Sequence, residues 1–324
     1  MKGIARGNEE VQLARNKIGK PYVWGGGDCN GPTKEGQPKA GFDCSGLNEH
    51  VTQYNDYRKW GGTSYSYNDA QLGDMFYYSH NSGIGHGAAL ALLEHRAHVT
   101  IISSSEQRVK SVVEDVGNPN LHGKVGNVRE EESFIELLRS LAPIDHLGTP
   151  LCSTASTLKD SCSIIRGPIA EADFDECKHL FGVKFWGAAI CGKAAAKYDI
   201  ISSGGSLTLT SGTGAMNPGK TASIGGALNA GLFTMTQGLA LELAEKRIRV
   251  NCVVPGIVST ELWDKMGTIG KGDEQAQKLD AMGKKLPVGF CATGEHIAEA
   301  YLYAVRADYA TGSLITIDGG GVLK

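Results

Sequence analysis

The stretch Ser79-His80-Asn81-Ser82-Gly83-Ile84-Gly85-His86-Gly87 decides the fold, and two readings compete for it. Upstream, Met75-Phe76-Tyr77-Tyr78 is an apolar run that reads as a strand. Downstream, Gly87-Ala88-Ala89-Leu90-Ala91-Leu92-Leu93-Glu94 reads as a helix, and Val99-Thr100-Ile101-Ile102 as a second strand. Strand, glycine turn, helix, strand is the context that a dinucleotide-binding turn requires. Gly83 and Gly85 would let the backbone approach a pyrophosphate. The free N–H groups and partial positive charge of the helix N-terminus would then face the phosphates.

Read backward, His86 closes a different pattern that begins at Phe42-Asp43-Cys44-Ser45-Gly46-Leu47. A cysteine followed by a strand-borne histidine is the skeleton of a thiol hydrolase. Four blocks run in order: Gly-Lys-Pro-Tyr-Val-Trp-Gly-Gly from Gly19, Asp-Cys-Ser-Gly-Leu from Asp43, Gly-Asp-Met-Phe-Tyr-Tyr from Gly73, and Gly85-His86. This order resembles the NlpC/P60 family of cell-wall peptidases. The resemblance implies a papain-like fold with Cys44 as nucleophile at a helix N-terminus, whose dipole would stabilise a thiolate. It implies His86 as the base and Asp43 as a neighbour. After His86 the pattern becomes helical, where that family needs further strands and a third polar residue. The segment therefore reads as a fragment truncated at its own histidine, with a buried thiol as the alternative role for Cys44.

Composition narrows the field. The chain has 324 residues, 41% hydrophobic and 21% charged, enough for one large α/β domain and a small one. A net charge of −3 offers no electrostatic case for nucleic acid or an anionic membrane surface. No run is long and apolar enough to cross a bilayer, and Met1 to Lys20 has no apolar signal-peptide core. The eight cysteines (29, 44, 152, 162, 177, 191, 252, 291) are scattered without zinc-ligand spacing, so no metal is expected. Reduced thiols in a cytoplasmic protein are the expectation.

From Ser79 the alternation of helix and strand continues to the end. Helices are expected over Glu106 to Val116, Glu130 to Leu141, Asp173 to Tyr198 and Ala227 to Glu245. Strands are expected ending near Val128, beginning at Asp145-His146-Leu147, and over Gly205 to Ser211, Arg249 to Gly256 and Ser313 to Gly320. The most diagnostic run is Leu-Ala-Leu-Glu-Leu-Ala from Leu239, then Arg249-Val250-Asn251, then Pro-Gly-Ile-Val-Ser-Thr from Pro255, with Ile317-Asp318-Gly319-Gly320 at the end. On these motifs about three quarters of the chain resembles the short-chain dehydrogenase/reductase family, in an atypical form. The expected fold is α/β: a doubly wound, Rossmann-like parallel sheet over residues 74–324, preceded by a papain-like fragment over 1–73. One segment conflicts with it. Between Gly148 and Gly167 the chain is rich in Ser and Thr, poor material for a central parallel strand, so the fourth strand is expected to be interrupted.

The resemblance places cofactor contacts residue by residue. Gly83, Ile84 and Gly85 match the second half of the family's glycine turn, with Ser79 at its first glycine and Ser82 within it. Ser103-Ser104-Ser105 follow the second strand, with Arg108 nearby. Hydroxyls and a cation suit a 2′-phosphate, which favours NADP without excluding NAD; a solvated serine loop is the alternative. Asn127 falls near the adenine position, and Pro255, Gly256, Ile257 and Thr260 match the turn at the nicotinamide end. The family's catalytic Tyr and Lys positions are Gly225 and Asn229 here, and its Asn position is Lys184. Ser211, Thr213 and Lys184 are the groups left to polarise a substrate oxygen. Lys184 would act as electrophile or proton donor, or else pack its stem and turn its amine to water.

A hydride transfer on the ketone or secondary alcohol of a small organic substrate is the activity so implied. A thiol peptidase and an inactive fused scaffold are the alternatives. The helix over Ala227 to Glu245 is the expected pairing face of a homo-oligomer, by the same resemblance. Glu261 to Pro287 is the expected substrate lid.

Overall fold

The computed structural model describes residues 72–77, 83–150, 168–260, 263 and 269–324, all within one compact unit, Tyr67–Lys324. Seven strands form one sheet: β1 (Leu72–Tyr77), β2 (His98–Ser103), β3 (Leu121–Val125), β4 (Ile144–Thr149), β5 (Ile201–Thr210), β6 (Arg249–Pro255) and β7 (Leu314–Ile317). Their order is β3-β2-β1-β4-β5-β6-β7, and every pairing is parallel. The order reverses between β1 and β4. Ligands of open parallel sheets bind at such a switch point, beyond the carboxyl ends of the strands.

The sheet is parallel because helices connect its strands and cover both faces. On one face α1 (Ile84–Glu94), α2 (Glu106–Val116) and α8 (Gly294–Arg306) bury Leu92, Val112, Ile297 and Tyr301 against Val99, Ile101 and Val253. On the other, α3 (Glu131–Ser140), α4 (Phe174–Phe181), α5 (Gly187–Lys197) and α6 (Ser223–Glu242) pack on Leu147, Leu207, Leu209, Val250 and Val254. The remaining helix, α7 (Gly272–Gly283), lies in the segment expected as a lid. Sandwiched strands carry apolar residues on both sides, and β6 is buried along its whole length.

Local chemistry sets the boundaries. Ser105 caps α2 by accepting the Arg108 N–H, and Gly117 ends that helix in the left-handed region at φ 58°. Gly87 in α1 and Gly294 in α8 let those helices cross at backbone contact: a Cβ at 87 would lie 2.3 Å from the Gly294 carbonyl carbon. Helices α4 and α5 are one continuous helix interrupted by a π turn at Gly182–Trp186. Such turns insert one residue and re-aim the side chains they carry.

Two expectations need correction. His86 is not strand-borne. It sits in the first turn of α1, where its N–H and that of Gly87 donate to the Gly83 carbonyl, each at 3.1 Å. The fourth strand is not lost either: Ile144–Thr149 pairs with β1 on one side and β5 on the other. Central pairing outweighs its weak composition, as tertiary context often does. The Ser/Thr-rich run begins only after the strand, and 151–167 lie outside the described residues. So do Cys44, Ser79, Ser82 and the papain-like reading of 1–73, apart from the two residues that open β1.

Candidate active site

The carboxyl edge of the sheet carries those predicted cofactor and catalytic residues that lie within the described chain. After β1, Gly83 is the N-cap of α1, extended at φ −86° and ψ 174°, and it supplies no capping side chain. No acidic residue occupies the first turn. By contrast Ser105 caps α2, and the Thr293 hydroxyl caps α8 in a capping box with His296. The α1 terminus, which follows β1 at the switch point, thus has leading N–H groups that meet no capping side chain from its N-cap residue. Amides and dipole together suit an anion there.

At the end of β2, Ser103 is buried and its Oγ accepts the Ser105 N–H at 3.3 Å, while Ser104 is exposed. Ser105 is committed to its cap. Glu106 opens α2 as an exposed carboxylate, and Arg108 stands in the first turn, half-buried. Asn127 is engaged locally: its amide N–H donates to Glu130 Oε1 at 2.8 Å, and its Oδ1 accepts the Arg129 N–H at 3.2 Å. At the nicotinamide end expected from the resemblance, the Gly256 N–H donates to the Ile317 carbonyl at 3.0 Å. A Cβ on Gly256 would lie 2.7 Å from Asp318 Cα, so only glycine lets this turn close on the last strand. Ile257 is half-buried and its carbonyl accepts from the Cys291 thiol, and Thr260 accepts the Trp263 N–H at 3.2 Å through its own carbonyl.

Lys184, Ser211 and Thr213 come from the π turn, the end of β5 and the 3₁₀ turn after it (Thr213–Ala215). Lys184 Nζ donates to the Ser211 carbonyl at 3.1 Å and to Asn229 Oδ1 at 2.8 Å. The Ser211 hydroxyl donates to the Asn229 carbonyl at 2.8 Å, closing a ring between α4, β5 and α6. Ser211 is 3% exposed and its hydrogen is spent on the helix backbone, so its hydroxyl braces the ring. Thr213 is half-buried and opens the 3₁₀ turn. The Lys184 stem-and-water alternative does not describe this arrangement, since the amine turns inward onto two acceptors.

Two contacts of this site are not legible in the sequence. Asn229 joins Lys184 across 45 residues, a side-chain pairing that no helical periodicity reveals. Next to Ser211, the Tyr301 hydroxyl shares a hydrogen bond with Thr210 Oγ1, and burial pushes the phenol above its ordinary range. The site's floor is therefore fixed from the opposite face of the sheet. Helix α6 starts flush against the loop: Gly225 and Gly226 are buried, and a Cβ on Gly226 would meet the Gly214 carbonyl at 3.0 Å and Pro218 Cβ at 3.1 Å. Among the described residues no group of three or more His, Cys, Asp or Glu could hold a metal ion, and no helix is long and apolar enough to cross a membrane.

Sheet order, glycine-capped helix and the side-chain ring define a doubly wound parallel fold with a polar side-chain cluster after β5. A family model described as enoyl-(acyl carrier protein) reductase matches residues 79–321. The chain belongs to that family, within the short-chain dehydrogenase/reductases. It is 30% identical over 244 residues to a 3-oxoacyl-(acyl-carrier-protein) reductase of Rickettsia bellii, covering 74% of this chain and 92% of that protein. A short-chain dehydrogenase/reductase of Gibberella fujikuroi is 27% identical over 251 residues, covering 75% and 92%. Among solved structures, a small-chain dehydrogenase in complex with NADPH is 28% identical with a TM-score of 0.60, covering 78% of this chain and all of the other. All these matches cover about three quarters of the chain, and the family match begins at Ser79.

Proposed function

We propose that this protein is an NADP-dependent reductase or dehydrogenase that moves hydride between a nicotinamide and the ketone or secondary alcohol of a small organic substrate. The observation that carries this reading is the glycine-capped N-terminus of α1 at the switch point, with no carboxylate in its first turn. It fits a diphosphate by charge and by available donors. The similar structure with NADPH bound supports the same reading. Ser103 ends β2 without a carboxylate, and Ser104 and Arg108 supply a hydroxyl and a cation for a 2′-phosphate.

When bound, the nicotinamide supplies or accepts the hydride. The chain's own residues do the rest. Gly83, Ile84 and Gly85 would hold the diphosphate, and Pro255, Gly256, Ile257 and Thr260 would form the turn at the far end. Reduction adds a proton to the carbonyl oxygen as the hydride reaches its carbon. Lys184, held at the ring, is the group we assign to polarise that oxygen and release the proton. Thr213 Oγ is a second donor. Gly225 carries no side chain that could do this work.

Initial rates of NADPH and NADH oxidation on a panel of diketones, cyclic ketones and an acetoacetyl thioester test the proposal. Turnover of at least one ketone, faster with NADPH, is expected. Tight NADPH binding with no turnover on the whole panel would favour a binding scaffold instead.

A further inference from the structure

We infer that Asn229 is the positioning residue of this site, locking the Lys184 ammonium and turning its own amide donors toward the Gly212–Gly214 loop. The inference rests on the reading that the pocket after β5 receives the substrate carbonyl beside the nicotinamide.

The orientation of an Asn amide is ordinarily ambiguous, because its oxygen and nitrogen are nearly isosteric. Here the partner removes the ambiguity. A lysine ammonium only donates, so the atom 2.8 Å from Lys184 Nζ must be the amide oxygen. The NH₂ group is then forced to the other side. It lies against the loop after β5: a Cβ built on Gly212 would sit 3.4 Å from Asn229 Nδ2, and one on Gly214 would sit 3.7 Å from it. Gly212 and Gly214 therefore put no side chain of their own against the amide nitrogen, in the loop that also carries Thr213.

The backbone of Asn229 is fixed independently by the Ser211 hydroxyl, which donates to its carbonyl at 2.8 Å. Residue 229 is thus held twice, once by its main chain and once by its side chain. The result is a pair of donors from two helices: a charged one from the π turn of α4 and a neutral one from α6. Both converge on the carboxyl end of β5. A site built to stabilise a developing alkoxide needs donors fixed in advance, and this ring fixes both with one contact. Lys184 would touch the reacting oxygen; Asn229 acts chiefly through Lys184.

The test uses the full-length chain and needs no known substrate. Lys184 acylation by acetic anhydride is followed at one mildly alkaline pH by mass spectrometry, in the wild type, Asn229→Asp and Asn229→Leu. Melting temperature and NADPH binding by fluorescence are recorded alongside. Asn229→Asp keeps an acceptor and adds an anion, so Lys184 labelling should slow about tenfold. Asn229→Leu removes the acceptor and should speed it about threefold. Opposite signs at near-constant melting temperature are the signature of positioning, which a merely structural residue would not give. Saturating NADPH should also protect Lys184 in the wild type. Equal labelling rates in all three proteins would overturn the inference, and so would bound NADPH that leaves Lys184 unprotected. Failure of NADPH to bind would overturn the proposed function instead, while the labelling rates still judge the Lys184–Asn229 lock.

Discussion

Around α1 the site is made of backbone; around α4, β5 and α6 it is made of side chains. In the first region the described head of α1 carries Gly83 as its N-cap, and Gly87 lets the helix meet α8 at backbone contact. The second departs from the residue types that the family resemblance implies at three positions, Lys184, Gly225 and Asn229, and forms a different ring from Lys184, Asn229 and Ser211. Main-chain donors follow from the fold, so substitution barely reaches them. Side-chain donors must be replaced by others that close the same hydrogen bonds, or buried polar groups are left unpaired.

The sharpest way to break this contrast is Gly87→Val. Its Cβ would fall 2.3 Å from the Gly294 carbonyl carbon, a backbone atom that cannot swing aside. A loss of about 4 kcal/mol in urea unfolding is expected, with cofactor binding lost alongside. A variant that melts like the wild type would mean the α1–α8 crossing is not what seats the turn.

A second effect arises at the opposite, amino edge of the sheet. His146 Nδ1 meets Ser206 Oγ at 3.0 Å, and burial, then the Arg249 charge, hold its imidazole near pKa 4, down from 6.5. The unfolded chain therefore binds the proton first as pH falls. The stability that neutral His146 contributes is complete above about pH 6.5 and is lost as pH drops toward 4. A loss of about 3 kcal/mol across that window is expected by denaturant titration, and His146→Gln should flatten it. Because this edge lies away from the pocket, cofactor affinity at neutral pH should not change in that variant.

Lys184→Met addresses the side-chain region directly. Turnover should fall about a hundredfold while the fold and NADPH binding persist, measured as kcat at saturating cofactor. Smaller still is Arg108→Ala, expected to weaken NADPH about tenfold, or about 1.4 kcal/mol, and to leave NADH unchanged. Ser105→Ala should cost only about 1 kcal/mol of stability through loss of the α2 cap. If Ser105→Ala instead removed NADPH discrimination, the hydroxyl would be serving the ligand rather than the helix.

The same division governs how far the sequence could be read. Helix α2 occupies the span its periodicity predicts, Glu106–Val116, because its cap and terminal glycine are local signals. Helix α6 starts four residues earlier than the apolar pattern indicates, since Ser223–Gly226 are held by the loop that packs on them rather than by propensity. Strand β4 looked unpromising because its composition carries no trace of the two partners that pair with it. The π turn is invisible for a similar reason: Gly182-Val183-Lys184-Phe185-Trp186 reads as ordinary helix, and only packing shows the inserted residue. Lys184 and Ser211 were legible as candidates, while the contact that makes them one unit depends on Asn229 reaching across from another helix.

The central claim is that bare amides at the head of α1 seat a nicotinamide dinucleotide. Titrating the full-length protein with NADPH, and following the nucleotide's fluorescence, tests it most directly. The account predicts saturable binding, tighter than for NADH. Fluorescence that never saturates up to millimolar NADPH, in a protein that is folded by circular dichroism, would contradict it.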